Sequence, residues 1–253
     1  MGLINYTNYS KEEDLKRLRF VVEAANSFPH TPANVIEIGC GNGNMSYQLA
    51  RSGHKVLGID VSEESVRTAR EQFQWENLEF RCMAAEEITP DRKFDVILCS
   101  EVLEHLYEPL PVLKTISGMM HTGSILILTV PNGKGPRERL ITKPVQRMRS
   151  NNNLAWKITS KIKSALGYQG TTVQSSNHSL DHIQFFTLSQ LHQMAGECNL
   201  TITGLRAANF MESTFPVSLL TRFIHPLQKF DCFIADHLPV TWSSGFYMTL
   251  KRV

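Results

Sequence analysis

Three glycines set one residue apart, Gly39, Gly41 and Gly43, constrain this chain more than any other stretch. They follow a short apolar run (Val35, Ile36, Ile38) and precede an amphipathic stretch from Met45 to Arg51. That order predicts a buried strand, a tight turn and a helix start, the first half of a βαβ unit. A turn that presses its backbone on a ligand has no room for a Cβ and visits positive φ, which is why glycine is needed there. The helix N-terminus beyond it offers free N–H groups to a polar or anionic ligand. The next strand, His54 to Asp60, ends in a carboxylate suited to a ribose diol. A nucleoside-containing cofactor is the expectation.

The spacing bears on which one. A dinucleotide turn reads G-x-G-x-x-G, leaving space for a pyrophosphate on the helix. Here it is G-x-G-x-G, with Glu37 two residues before the first glycine. A carboxylate so close would repel a pyrophosphate and suits a ligand carrying an ammonium and a sulfonium. A glycine turn in some other α/β protein, a dinucleotide oxidoreductase included, is the plainer alternative.

Further along, Ser10 and the acids after it predict a helix start, with Leu15, Leu18, Val22 and Ala25 on its apolar face. Ser62 caps a helix running to about Phe73. Strands are expected at Leu78 to Met83, Phe94 to Ser100, Ser124 to Val130, Leu200 to Arg206 and Gly245 to Arg252. The central two are nearly continuous apolar runs, as in parallel strands covered on both faces. The fold expected is α/β, a doubly wound sheet with ligands at the carboxyl ends of its strands. Residues 1–253 read as a single domain with an N-terminal helical segment at 1–32 and two insertions, 133–180 and 207–244, hanging over the cofactor mouth. In the second, Phe210, Phe215, Leu219, Leu220, Phe223, Phe230 and Phe233 fit a cap or a small satellite core.

Glu37-x-Gly39-x-Gly41-x-Gly43 resembles motif I of the class I S-adenosylmethionine-dependent methyltransferases. Phe94 to Leu106 resembles the fourth-strand motif of the group that includes ubiquinone-biosynthesis O-methyltransferases. Gly123 to Asn132 and Asp181 to Leu191 are similar to later blocks of the same family. The resemblance implies a seven-stranded Rossmann-like sheet with an antiparallel C-terminal hairpin. It also implies that Glu37, Gly39, Cys40 and Gly41 line the methionine side of S-adenosylmethionine, with Ser100 nearby. Asp60 would hold the ribose, and Val61, Ala85 and Glu86 would surround the adenine. The family often has an acid where this chain has Ala84.

Glu101, Glu104 and His105 follow the fourth strand at i, i+3 and i+4, one face of a helical turn. Two carboxylates and an imidazole can ligate a divalent ion that keeps open positions for substrate oxygens. The E-x-x-E-H pattern, with Asp181-His182 later, is similar to the metal site of small-RNA 3′-end 2′-O-methyltransferases. Glu101, Glu104, His105 and His182 are thus candidate ligands of Mg²⁺, with Zn²⁺ or Mn²⁺ as variants, and His178 is a reserve ligand. The ion would lower an alcohol's pKa and fix its attack angle. Alternatively His105 or His182 is a metal-free general base, or the acids only favour a helix N-terminus while His105 packs.

Between Lys134 and Lys163 stand nine Lys and Arg residues and one acid, Glu138, a local balance of +8 in a chain of net +2. Leu154, Trp156, Ile158 and Ile162 are interleaved with them. This suits an anionic membrane surface met by 134–166, or a phosphate-bearing or lipid-linked acceptor, or a merely solvated helix face. No apolar run approaches the ~20 residues of a membrane span, and the N-terminus lacks a signal-peptide core. Five cysteines without a C-x-x-C pair read as small buried residues of a reducing compartment. A cytoplasmic O-methyltransferase, peripheral to a membrane at most, is expected to act on a small-molecule or glycan acceptor. N-methylation, 2′-O-methylation of an RNA end and a non-enzymatic cofactor scaffold stay open.

Overall fold

The structure is a computed structural model; it describes residues 9, 11–89, 91–135, 183–210 and 225–253. Seven strands form one sheet in the order β3-β2-β1-β4-β5-β7-β6. They are β1 (Asn34–Ile38), β2 (Lys55–Asp60), β3 (Leu78–Cys82), β4 (Phe94–Ser100), β5 (Met120–Pro131), β6 (Leu200–Ala207) and β7 (Gly245–Arg252). The first five are parallel, and β7 pairs antiparallel with both β5 and β6. The expected doubly wound sheet with its C-terminal antiparallel pair is what the chain forms.

Strand alternation explains why the central runs are apolar throughout. Ile36, Ile38, Leu57, Ile59, Ile97, Leu126 and Leu128 face one side, where α4 (Pro109–Gly118) and α5 (Leu188–Glu197) add Leu113, Ile116, Leu191 and Ala195. Val35, Val56, Val96, Leu98, Ile125 and Ile127 face the other. There α1 (Glu12–Asn26) and α2 (Asn44–Arg51) contribute Leu18, Val21, Val22, Met45 and Leu49. In β4 and in β5 from Ser124 on, both faces are covered, so these runs show no polar alternation, whereas the outer strands β3 and β6 do.

Several boundaries and environments differ from expectation. β5 begins at Met120, four residues early, because Ser124 accepts from His121 N–H and donates to the Phe94 carbonyl, holding the strand's first turn in register. Helix α1 has Lys11 as its N-cap, without a side-chain bond. Its apolar face also carries a buried arginine, Arg17. Cys82 is exposed, whereas Cys40, Cys99, Cys198 and Cys232 are buried. His54 is fully buried, its Nδ1 accepting from the Ala33 N–H and its Nε2 2.9 Å from Asn26 Oδ1. Residues 136–180 of the first insertion and 211–224 of the second, with Phe215, Leu219, Leu220 and Phe223, lie outside the described residues. The rest of the second insertion forms α6 (His225–His237) and a short turn, Val240–Trp242. Phe230 and Phe233 do not enter a satellite core; they are exposed, because α6 turns its other side to the protein.

The elbow between β1 and α2 is built as the glycine spacing requires, with Gly39, Gly41 and Gly43 at φ of 70°, 51° and 80°. A Cβ on Gly43 would come within 2.5 Å of the Phe80 ring and 2.9 Å of Ala69 Cβ. Gly123 shares the positive φ, 103°, but faces open space. Gly43→Ala is therefore expected to cost about 2–4 kcal/mol, strain plus overpacking, against about 1 kcal/mol for Gly123→Ala. Chemical denaturation of both variants checks this, and equal losses would show that packing against Phe80 contributes nothing.

Candidate active site

The elbow and the carboxyl ends of β1, β2 and β4 converge on one end of the sheet. Asp60, last residue of β2, is half-buried and holds the elbow in place. Its Oδ2 accepts from Gly41 N–H at 2.9 Å and its Oδ1 from Ser62 N–H at 2.8 Å, the residue that caps α3 (Glu63–Gln72). The elbow is further tied by Cys40 N–H to the Ile59 carbonyl and by Gly43 N–H to the Cys40 carbonyl, both 2.9 Å. Gly39 leaves room for Val102, which follows β4 and would collide with any Cβ there. Cys40 is buried, and burial pushes its thiol pKa up, which leaves it a packing residue.

Glu37 lies beneath the turn, 4% exposed, and accepts a 2.5 Å bond from the Ser46 hydroxyl of α2. Burial pushes its pKa up to about 8; the Ser46 bonds oppose this and the Asp60 charge adds to it. At neutral pH such a carboxyl is mostly protonated, and a cation placed nearby would favour its ionised form.

Beside the elbow, Val61 is 75% exposed, Ala85 is buried at the start of a 3₁₀ turn (Ala85–Glu87), and Glu86 is exposed. Met83 N–H bonds the Asp60 carbonyl, so this turn sits next to Asp60 and Val61. Ser100 is buried and shares a 2.8 Å bond with Thr129.

The E-x-x-E-H residues do not share one face of an α-turn. Glu101 stands at φ 56°, outside the 3₁₀ turn Leu103–His105, and its carboxylate accepts from Thr129 Oγ1 at 2.9 Å. Glu104 is fully buried, with His105 Nε2 3.8 Å from its Oε1 and the His105 side chain 18% exposed. The Glu104 carbonyl accepts from the Ile183 and Gln184 N–H groups. Asp181 and His182, and the reserve ligand His178, lie outside the described residues. Among the described residues, no three His, Cys, Asp or Glu side chains gather in an arrangement able to hold a metal.

Sequence reasoning missed the contribution of α1. Arg17 reaches from that helix toward the tips of β4 and β5, donating to Asp14 Oδ1 at 2.8 Å with Nη1 3.6 Å from Glu101 Oε1. These acids keep it charged despite burial. Its Nε and the Tyr9 hydroxyl are buried and have no hydrogen-bond partner. Tyr9 is buried in the same apolar cluster as Leu18 and Met45, and that burial pushes its hydroxyl pKa up. The signal was present but faint: Arg17 interrupts an apolar stripe three residues after Asp14.

The buried Glu37 carboxyl makes stability depend on pH. Its folded pKa of about 8 exceeds the ordinary 4.5, so the folded state keeps a proton that the unfolded chain releases. Stability should fall as pH rises from about 4.5 to about 8. In Glu37→Gln that component vanishes, so between pH 5 and pH 8.5 the wild type should lose roughly 2–4 kcal/mol more than the variant. Parallel urea-denaturation profiles across this range would refute the assignment.

A methyltransferase-domain family profile matches residues 11–205. Ubiquinone biosynthesis O-methyltransferase of Acinetobacter baylyi is 30% identical over 129 residues, 49% of this chain and 53% of that protein. The protein of that name from Coxiella burnetii is 32% identical over 102 residues, 39% of this chain and 44% of its own length. The chain spans about half the length of these curated relatives. Among solved structures, magnesium protoporphyrin IX methyltransferase of Synechocystis PCC 6803 with bound SAH superposes at TM-score 0.55 and 16% identity, covering 100% of this chain and 90% of that one. The cyclase SpnF superposes at TM-score 0.60 and 16% identity, covering 93% and 81%. Those two likenesses concern the fold, which hosts more than one chemistry. With its glycine elbow, its sheet order and a profile match over more than half its length, this chain belongs to the methyltransferase-domain family.

Proposed function

We propose that the chain transfers the methyl group of S-adenosylmethionine to a hydroxyl oxygen of a small molecule or glycoconjugate that carries a neighbouring hydroxyl. One observation carries this reading: a carboxylate-flanked glycine elbow with a buried carboxyl, Glu37, beneath it. The name borne by the curated relatives, an O-methyltransferase, supports oxygen as the acceptor atom.

The residues fit the cofactor. Asp60 retains acceptor capacity for a ribose diol after its two backbone bonds. Exposed Val61 and buried Ala85 offer apolar surface for adenine, and Glu86 stands at its edge. Arg17 Nε and Tyr9 Oη are buried donors still lacking acceptors, suited to a carboxylate. Glu37 answers a positive charge, and Gly39, Cys40 and Gly41 bring backbone close enough to line the site. When bound, the cofactor supplies an electron-poor methyl carbon on a sulfonium.

What remains for the chain is to align an acceptor oxygen behind that carbon and remove its proton as the new O–C bond forms. His105 is the base in this reading: its side chain is 18% exposed, and its Nε2 lies 3.8 Å from Oε1 of the buried Glu104, which can orient the ring. His182 remains a second candidate base by sequence. No step here is routed through a divalent ion; Glu101 accepts from Thr129 Oγ1 and stands 3.6 Å from Arg17.

A transfer assay with labelled donor against catechols, vicinal diols and glycans tests this reading. His105→Gln is expected to lower kcat by roughly 10²–10⁴-fold while leaving donor affinity unchanged, and activity should persist in excess chelator. Loss in chelator with recovery on adding Mg²⁺ would restore the ligand set of Glu101, Glu104, His105 and His182 in place of the base. Absence of transfer to any oxygen acceptor would overturn the function itself.

A further inference from the structure

The turn that carries His105 is held by a segment far away in sequence. Leu103–His105 is a single 3₁₀ turn, closed by bonds from His105 N–H to the Val102 carbonyl and from Leu106 N–H to the Leu103 carbonyl. So short a turn, with the poorer hydrogen-bond geometry of 3₁₀ structure, gains from support outside itself.

Residues 183–186 supply that support. The Glu104 carbonyl accepts from Ile183 N–H at 2.8 Å and from Gln184 N–H at 2.9 Å. The Gln184 side chain donates from Nε2 to the Tyr107 carbonyl at 3.1 Å. One pair of residues thus holds the carbonyl just before His105 and the carbonyl two positions after it. The backbone is pinned on both sides of the imidazole, which itself stays partly exposed.

The segment is anchored in its turn, so it can act as a brace. Phe186 is buried in the main core, and its carbonyl accepts from the Gly133 N–H at 2.7 Å, at the exit of β5. Thr187 then opens α5 with a reciprocal cap to Gln190. Gly133 lets the two backbones meet, because a Cβ there would stand 2.5 Å from the Phe185 carbonyl oxygen. That neighbour is backbone and cannot swing aside as a side-chain end would. Residues 183–186 therefore bridge the loops that leave β4 and β5, at the end of the sheet where the site lies.

Pinning of this kind bears on proton transfer more than on donor binding. The elbow is held by its own bonds, from Asp60 and from the Ile59 and Cys40 carbonyls. A base must stand within hydrogen-bond reach of the proton it takes, and a displacement of about 1 Å can cost on the order of 10²-fold in rate.

We infer that Gln184 is a positioning residue: through the carbonyls of Glu104 and Tyr107 it fixes the His105 imidazole where the acceptor hydroxyl presents its proton. The inference rests on the methyl-transfer reading with His105 as the base.

Transfer kinetics of three variants test it. Gln184→Met keeps the bulk and removes the donor, Gln184→Lys restores a donor on a side chain of similar length, and Gln184→Met is repeated in His105→Gln. Gln184→Met should lower kcat roughly tenfold, with acceptor KM and donor affinity within about twofold of wild type. Gln184→Lys should recover most of that loss. Added to His105→Gln, the Met change should cost nothing further, since it acts through the imidazole. Gln184 is partly exposed, so these variants should keep the wild-type melting temperature. An unchanged kcat in Gln184→Met, no recovery in Gln184→Lys, or a full further loss in the double variant overturns the positioning role and leaves the proposed function standing. If the wild type methylates no oxygen acceptor, or His105→Gln transfers as well as wild type, the reading beneath fails and this inference falls with it.

Discussion

The two bonds from the Asp60 carboxylate to Gly41 and Ser62 are the constraint on which the site depends. One side chain at the end of β2 fixes both the glycine elbow and the start of α3. Bonds from a backbone N–H to a charged group are worth about 1.5–3 kcal/mol each, enough to hold three positive-φ residues in a single arrangement. The elbow in turn sets where Glu37 can go. With α2 starting at Asn44, Ser46 lies over the β1 carboxyl and bonds it, and the carboxyl stays buried. Rigid support from strands and a helix N-terminus is what a preorganised site requires.

The N-terminal helix completes this arrangement from above. Arg17 links α1 to Glu101 at the tip of β4, so α1 reaches the end of the sheet that carries the elbow. The same helix is tied to α6 through Glu12 and Lys16. Cofactor end, acceptor end and outer apolar face are thus joined by one helix.

Much of this was legible in the sequence because it follows from local rules. The glycine spacing, Asp60 at a strand end, the Ser62 cap and the apolar runs of β4 and β5 each encode their own geometry. What was not legible depends on pairing across the fold. Glu101, Glu104 and His105 have helical spacing, but the chain leaves β4 through a residue at φ 56°, which turns Glu101 toward Thr129 and Arg17. No periodicity predicts that turn. Arg17 gave little sign of its role because one of its partners, Glu101, lies 84 positions away. Phe230 and Phe233 fitted either a cap or a small satellite core, and the polar ties on the other side of α6 explain why they face outward.

The central claim is that the elbow seats a positively charged sulfonium donor above an acid that is still largely protonated in the empty protein. Calorimetric titration at pH 7 with S-adenosylmethionine, in two buffers of different ionisation enthalpy, tests this directly. The account predicts saturable heat and close to one proton released per donor bound, as Glu37 ionises beneath the cation. No heat, or binding with no difference between the buffers, would contradict it.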